Sequence, residues 1–304
     1  MPLRKKPLPY FTALAAVGVL TLSACGSGDS AEDDAAAPEA PEVSVDEELA
    51  AMVPEDIREA GVISIGVEAE YAPGEYLDDD GETVLGFNVD LVTAALNKLG
   101  LEAEWVPANF DSIIIGVDSG NYDLGASSFT ITEERMEAVN MVSYFSSGTQ
   151  WIAPAGNPEE VDPDNACGLR IAVQTGTTHD TDIEARSDAC VEAGEEAITI
   201  EKFQNQPLAT SSVVSGLNDA SLADLPTSLF ALQETGDQLE FIGDQYSAAP
   251  YGVITHQEDT ELADALAAGF NAIIEDDTYG GVLEEWEIEV GAIETSEVNP
   301  SVDE

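Results

Sequence analysis

The sequence predicts an α/β fold of two lobes with mainly parallel sheets. Three observations carry this. Short β-rich apolar runs alternate with stretches of helical period from about residue 49 to the C-terminal region. The alternation comes in two sets, one on each side of residue 150. No short-period repeat organises the chain, which disfavours a solenoid.

The elements follow in order. Glu48 to Ala60 is helix-like, with Gly61 as its stop. Val62 to Val67 is a strand. Val89 to Leu99 carries apolar residues at helical spacing and is closed by Gly100. Leu101 to Val106 is a strand, Ile113 to Ser119 a helix, Tyr122 to Ala126 a strand and Glu133 to Val139 a helical turn. In the second set, strands are expected at Arg170 to Val173, Ile198 to Ile200, Ala220 to Ala223, Leu239 to Ile242 and Gly252 to Ile254. Helices are expected at Ile183 to Ala193, Pro207 to Ser215, Thr227 to Glu234 and Thr260 to Glu275.

The 304-residue chain holds 61 acidic and 9 basic side chains, a formal net charge of −52. Such a surface repels nucleic-acid phosphates and anionic headgroups, so no nucleic-acid partner is expected. It fits a salty medium, in which screening suppresses self-repulsion; an acidic patch for calcium or a basic partner is the other reading. No stretch has the spaced acids of a calcium loop, and Asp78-Asp79-Asp80 before Gly81 reads as a solvated turn. No metal or cofactor is expected.

Residues 1–24 read as a signal peptide. Arg4-Lys5-Lys6 precede an apolar stretch, Phe11 to Leu22, too short to span a bilayer comfortably. Leu22-Ser23-Ala24-Cys25 resembles the lipobox of bacterial lipoproteins, in which the Cys receives lipid; an ordinary signal peptide with an incidental Cys is the alternative. Residues 25–48 are rich in Ala, Pro, Asp and Glu and read as a flexible, lipid-anchored tether. The expected location is the outer face of the cell membrane. There the remaining pair, Cys167 and Cys190, favours a disulfide over a zinc site, because neither His179 nor His256 makes an evident ligand set with it.

Seven motifs stand in a fixed order. Gly86-Phe87-Asn88-Val89-Asp90-Leu91, Asn109 to Ile114, and Ser119-Gly120-Asn121-Tyr122-Asp123-Leu124 come first. Ser128 to Arg135, Val173-Gln174-Thr175-Gly176-Thr177-Thr178, Pro250 to Val253 and Asp277 to Gly280 follow. Together they resemble the amino-acid-type solute-binding proteins of ABC importers, extracellular solute-binding family 3, over roughly residues 50 to 300. With the lipobox, the resemblance is to actinobacterial members. It implies a type II periplasmic-binding-protein-like fold, with a ligand cleft between lobes joined by two crossover strands. Lobe 1 would be 49–150 and 248–304, and lobe 2 would be 151–247.

The resemblance also implies a site. Arg135 would hold the ligand carboxylate with its planar fork, unless it is a surface residue paired with Glu133 or Glu134. Ser128 and Thr130 would complete the lobe 1 side, or cap the following turn. Thr178 opens a helix and offers free N–H groups to an anion. Asp224 would take the α-ammonium, or cap the helix after it. Tyr71 and Phe110 would sandwich the ligand side chain, with core packing as the alternative. Glu68 and Gln174 would face its distal end, Glu68 favouring a cationic or polar one. His179 is a further candidate at the rim. Gly74 departs from the family's usual aromatic residue, which suggests a roomier pocket.

The expected function is capture of a free amino acid by hinge closure and its delivery to ABC transporter membrane subunits, by a monomer that is not an enzyme. A zwitterionic osmolyte is the alternative ligand. A lyase of the same fold is a further alternative, although no Ser/His/Asp or Cys/His set appears.

Overall fold

The structure, a computed structural model, describes residues 43–302. The expected signal peptide, Cys25 and the expected tether up to residue 42 lie outside the described residues. Residues 43–48, expected as part of the tether, pack on the fold instead. Val43 packs on the main core, and Asp46 caps α1 (Glu47–Ala50) by accepting from the N–H groups of Glu48 and Leu49. A second short helix, α2 (Glu55–Ala60), follows. The single helix expected here is split because Pro54 forces Val53 away from helical backbone.

Next come β1 (Val62–Val67), a small antiparallel sheet of β2 (Glu70–Tyr71), β3 (Glu75–Leu77) and β4 (Val84–Leu85), then α3 (Phe87–Lys98). They are followed by β5 (Glu102–Pro107), α4 (Phe110–Asp118), β6 (Leu124–Gly125), α5 (Glu133–Met136) and the long β7 (Val139–Pro154). The second set is β8 (Arg170–Gln174), α6 (Thr178–Ala193), β9 (Thr199–Phe203), α7 (Gln206–Val214), β10 (Ala220–Asp224) and α8 (Leu225–Thr235). The chain returns through β11 (Leu239–His256) to α9 (Thr260–Glu275) and α10 (Thr278–Glu285).

The large sheet runs β5-β1-β6-β11-β7-β10-β8-β9. Both of its arms are parallel, β1 beside β5 and β6, and β8 beside β9 and β10. The middle is antiparallel, where β7 and β11 pair along most of their length and pass from one arm to the other. This is the two-lobed architecture with two crossover strands. β7 is absent from the sequence reading because it is buried almost throughout, so it lacks the apolar–polar alternation of a half-exposed strand. β11 was expected as two strands; it is one, with register shifts between Ile242 and Tyr246 and between Tyr246 and Ala249. At that irregular stretch Gly148 of β7 meets the partner backbone: a Cβ there would lie 2.6 Å from the Tyr246 carbonyl oxygen. Only glycine permits the approach.

Each arm has its own core. In the first, α3, α9 and α10 pack around Phe87, Leu91, Phe145, Tyr251 and Phe270. In the second, Trp151, Ile171, Val173, Ile183 and Leu222 gather beside Cys190. Cys167 and Cys190 form a disulfide with their Cα atoms 5.6 Å apart, tying the last turns of α6 to the segment before β8.

Candidate functional site

Residues from both sides of the crossover strands line one small, narrow cavity. Tyr71, Phe110, Ser128, Thr130 and Arg135 come from before β7, on the side of the β1 arm; Gln174, Thr177, Thr178, His179 and Asp224 come from after it, on the side of the β8 arm. Eight of the nine ligand-binding residues expected from the sequence thus share a wall, and Glu68 lies behind Gln174.

Arg135 is placed by α5, whose N-terminus Thr132 caps by accepting from the Arg135 N–H. Its guanidinium sits over Phe110 and Phe129, 5.6 Å and 5.5 Å from the ring centres, and these rings are themselves stacked. Nη1 donates to the Thr130 carbonyl at 2.7 Å and Nη2 to the Gly176 carbonyl at 3.2 Å. Those two bonds leave further N–H donors of the fork for a carboxylate. Among the described residues, Lys98, Arg170, Arg186 and Lys202 each pair with acids, whereas Arg135 has no acid within ion-pair distance. The alternative pairing with Glu133 or Glu134 does not form. Burial lowers the guanidinium to about 10, opposed by Asp224 and Glu134, so it stays charged at neutral pH.

Opposite it, α6 opens at Thr178, and Thr177 caps it by accepting from the Asp180 N–H at 3.2 Å. The helix begins earlier than expected, so Thr178 and His179 occupy its first turn. Their N–H groups have no acceptor one turn back, which makes this end of a 16-residue helix suited to an anion. Thr130 and Thr178 hydroxyls lie 3.5 Å apart across the lobes.

Asp224 ends β10 at the start of α8, yet makes no side-chain cap there. Its Oδ2 instead accepts from the Tyr71 hydroxyl at 2.8 Å, and its N–H donates back to that oxygen at 3.1 Å. This pair links the lobes. Likewise neither Ser128 nor Thr130 caps α5; that role falls to Thr132. Ser128 is held at φ 49°, a left-handed backbone that a non-glycine residue adopts only when its surroundings fix it. Its hydroxyl accepts from Asn88 at 2.8 Å and donates to Glu75 at 3.3 Å.

Glu75, with Asn88 and Ser127, belongs to the site's buried polar support and is absent from the sequence reading. Glu75 is 1 % exposed. Burial pushes its carboxyl up to about 8, tempered by Asn88 and raised further by Glu68. Glu68 is 3 % exposed, and both its carboxylate oxygens are buried without a hydrogen-bond partner, as is Gln174 Oε1. Burial raises Glu68 to about 7, with the neighbouring Gln174 amide tempering the rise and Glu70 adding to it. These acceptors neighbour one another, Gln174 in the cavity wall and Glu68 beside it rather than in the lining.

Gly74 does not line the cavity. A Cβ on it would lie 2.9 Å from Asn88 Nδ2 and 3.0 Å from Ser128 Oγ, so its smallness admits this polar packing rather than enlarging the pocket. His179 is not at a rim either; it is 3 % exposed in the cavity wall.

The sequence profile of the bacterial extracellular solute-binding proteins, family 3, matches residues 63–289. The chain belongs to that family. It is 36% identical over 253 residues, 83% of each chain, to the arginine-binding protein ArgT of Corynebacterium glutamicum. An ancestral arginine-binding protein bound to arginine superposes with a TM-score of 0.69 at 29% identity, covering 74% of this chain and 98% of that one. The ancestral amino acid-binding protein AncCDT-1, a precursor of cyclohexadienyl dehydratase, gives 0.69 at 26% identity over 76% of this chain and 98% of its own. As a member of family 3, the chain is a solute-binding protein of the two-lobed kind, and its cleft is the place to seek the solute.

Proposed function

We propose that this protein captures a cationic amino acid, arginine foremost, outside the cell and delivers it to an ABC importer. The observation that carries this is the cluster of orphaned buried acceptors, Glu68 Oε1, Glu68 Oε2 and Gln174 Oε1, beside a cavity that also holds Arg135 and Asp224. A free amino acid has a carboxylate for Arg135 and the Thr178 end of α6, and an ammonium for Asp224. What remains is a set of acceptors, two of them on a carboxylate. A guanidinium, planar and rich in N–H donors, suits it.

The charge balance agrees. Glu68 and Asp224 are buried near one cation, Arg135, while Glu75, raised to about 8, is largely protonated at neutral pH. A zwitterion adds no net charge, while a cationic side chain offsets one buried carboxylate. Tyr71 and Phe110 would flank the side chain. The relatives named for arginine point the same way.

The ligand would bridge Arg135 on lobe 1 and Asp224 and Thr178 on lobe 2, and so favour the closed state by contacts that the open state lacks. We take the lobes to divide as 43–150 with 248–302 and 151–247, and the protein to act as a monomer held at the membrane through a lipid on Cys25. It works as a binder and not as an enzyme: Glu68, the acid–base candidate of a lyase, here has the environment of a cation site. A zwitterionic osmolyte would leave Glu68 without a partner. A thermal-shift screen of residues 43–304 against all amino acids, common osmolytes and prephenate-like acids tests the reading, because a binder stabilises the native state by mass action. Arginine and lysine should give the largest shifts; a shift from osmolytes alone, or turnover of the acids, contradicts it.

A further inference from the structure

His179 has no role in the proposed scheme, yet it is the most confined titratable side chain of the lobe 2 wall. It is the second residue of α6 and lines the cavity. Its Nε2 is buried without a hydrogen-bond partner and lies 3.8 Å from Asp224 Oδ1, beyond hydrogen-bond length. The other carboxylate oxygen of Asp224 is already taken by the Tyr71 hydroxyl at 2.8 Å. Nε2 and Oδ1 therefore face each other across a gap at the cavity wall.

We propose that His179 is a ligand-binding residue: its neutral imidazole, with Nε2 unprotonated, accepts a hydrogen bond from the solute's α-ammonium and shares that group with Asp224. The inference rests on the amino-acid reading and deepens it. An ammonium has three N–H donors, enough to serve both atoms at once. A hydroxyl or ether in its place has one donor or none, so the pair selects for a free α-amino group. The groups facing the ring are consistent with neutrality. Burial, the largest influence, and the Arg135 charge lower its pKa below the usual 6.5, against the opposing pull of Asp224 from β10 and Asp182 on its own helix. A protonated ring would present a donor to the ammonium and repel it.

The chain has two histidines, so nitrogen-15 labelling of histidine gives a spectrum with few signals. The His256 ring serves as an internal control, since its Nδ1 accepts from the Glu258 N–H and it does not line the cavity. On titrating the mature protein with L-arginine, Nε2 of His179 should keep the resonance of an unprotonated nitrogen and shift in the direction of a new hydrogen bond. The His256 signals should stay in place. The α-hydroxy analogue of arginine should bind more weakly, by tenfold or more on the order expected for a lost charged hydrogen bond. In His179→Leu that discrimination should shrink, while His179→Gln, which keeps an acceptor, should retain it. An Nε2 that carries a proton in the complex overturns the inference. So does a His179→Leu protein that loses affinity for arginine and its hydroxy analogue by the same factor, as a packing role would give. If the wild type binds arginine but the His179 signals do not move, only this inference fails; if it binds no amino acid, the underlying reading fails with it.

Discussion

Arg135 enters the site with its guanidinium already held, by two backbone carbonyls and two stacked rings, and with no acid paired to it. Preorganisation of this kind reduces the ordering cost of binding. Arg135→Ala should weaken amino-acid binding by at least about a hundredfold, the scale of two charged hydrogen bonds, while leaving the melting temperature of the ligand-free protein near that of the wild type. Calorimetric titration beside thermal melting checks both. Glu68 gives the pH dependence. Its folded pKa, about 7, stands above the ordinary 4.5, and Glu75 stands at about 8. Raised carboxyls of this sort contribute stability that is full below the ordinary value and is lost as pH rises through 7 to 8. The ligand-free protein should therefore melt at lower temperature as pH rises over that window. A cationic ligand needs Glu68 ionised, so its affinity should rise over the same window, and Glu68→Gln should lose both the slope and most of the affinity. Arg135, Thr130 and Thr178 of the cavity wall were legible because they sit in motifs of recognisable order. Glu75 and Asn88 were not, since nothing in their spacing shows that a left-handed Ser128 draws them into one buried network.

The elements that carry the site are held by devices of different reach. The N-cap of α6 is local, Thr177 to Asp180, and was half-visible in the Gly-Thr-Thr run. The anchoring of its other end is not local: the disulfide joins Cys190 to Cys167, 23 residues apart in sequence. Replacing both cysteines with serine should destabilise the fold by about 2–4 kcal/mol in the chain-entropy account. For a protein of this size that is a drop of several degrees, roughly 2–4 °C per kcal/mol, which a melting curve resolves. Ligand affinity should fall only modestly, because the cap and the Thr178 end remain. Amphipathic helices such as α9 were found over their full span, and β1 likewise. β7 was missed because a strand buried on both faces has no period to read, and β6 contracts to two residues because only Leu124 and Gly125 reach its neighbours. The joining of the two lobes by β7 and β11 came from family likeness rather than from periodicity.

Across the molecule, ion pairs occupy Lys98, Arg170, Arg186 and Lys202, and the great excess of acids has no counter-charge in the chain. With 61 acids against 9 bases, self-repulsion favours expansion. Salt shortens the reach of that repulsion to about 3 Å at 1 M. The melting temperature should rise steadily from dilute buffer to molar salt, and a flat response would show that the surface charges are already compensated. The same surface field attracts cations and repels anions, in keeping with a cationic cargo. Closure would bring Tyr71 to Asp224, Thr130 to Thr178 and Asn205 to Glu70, the last at 2.8 Å, so that bonds between the lobes complement those to the ligand. The most direct measurement is a calorimetric titration of residues 43–304 with L-arginine at pH 8, on the wild type and on Glu68→Gln. One-to-one binding by the wild type, lost in large part by the variant, is the predicted result. Equal binding of arginine by both proteins, or tighter binding of an uncharged amino acid than of arginine by the wild type, would contradict the assignment of a cationic solute.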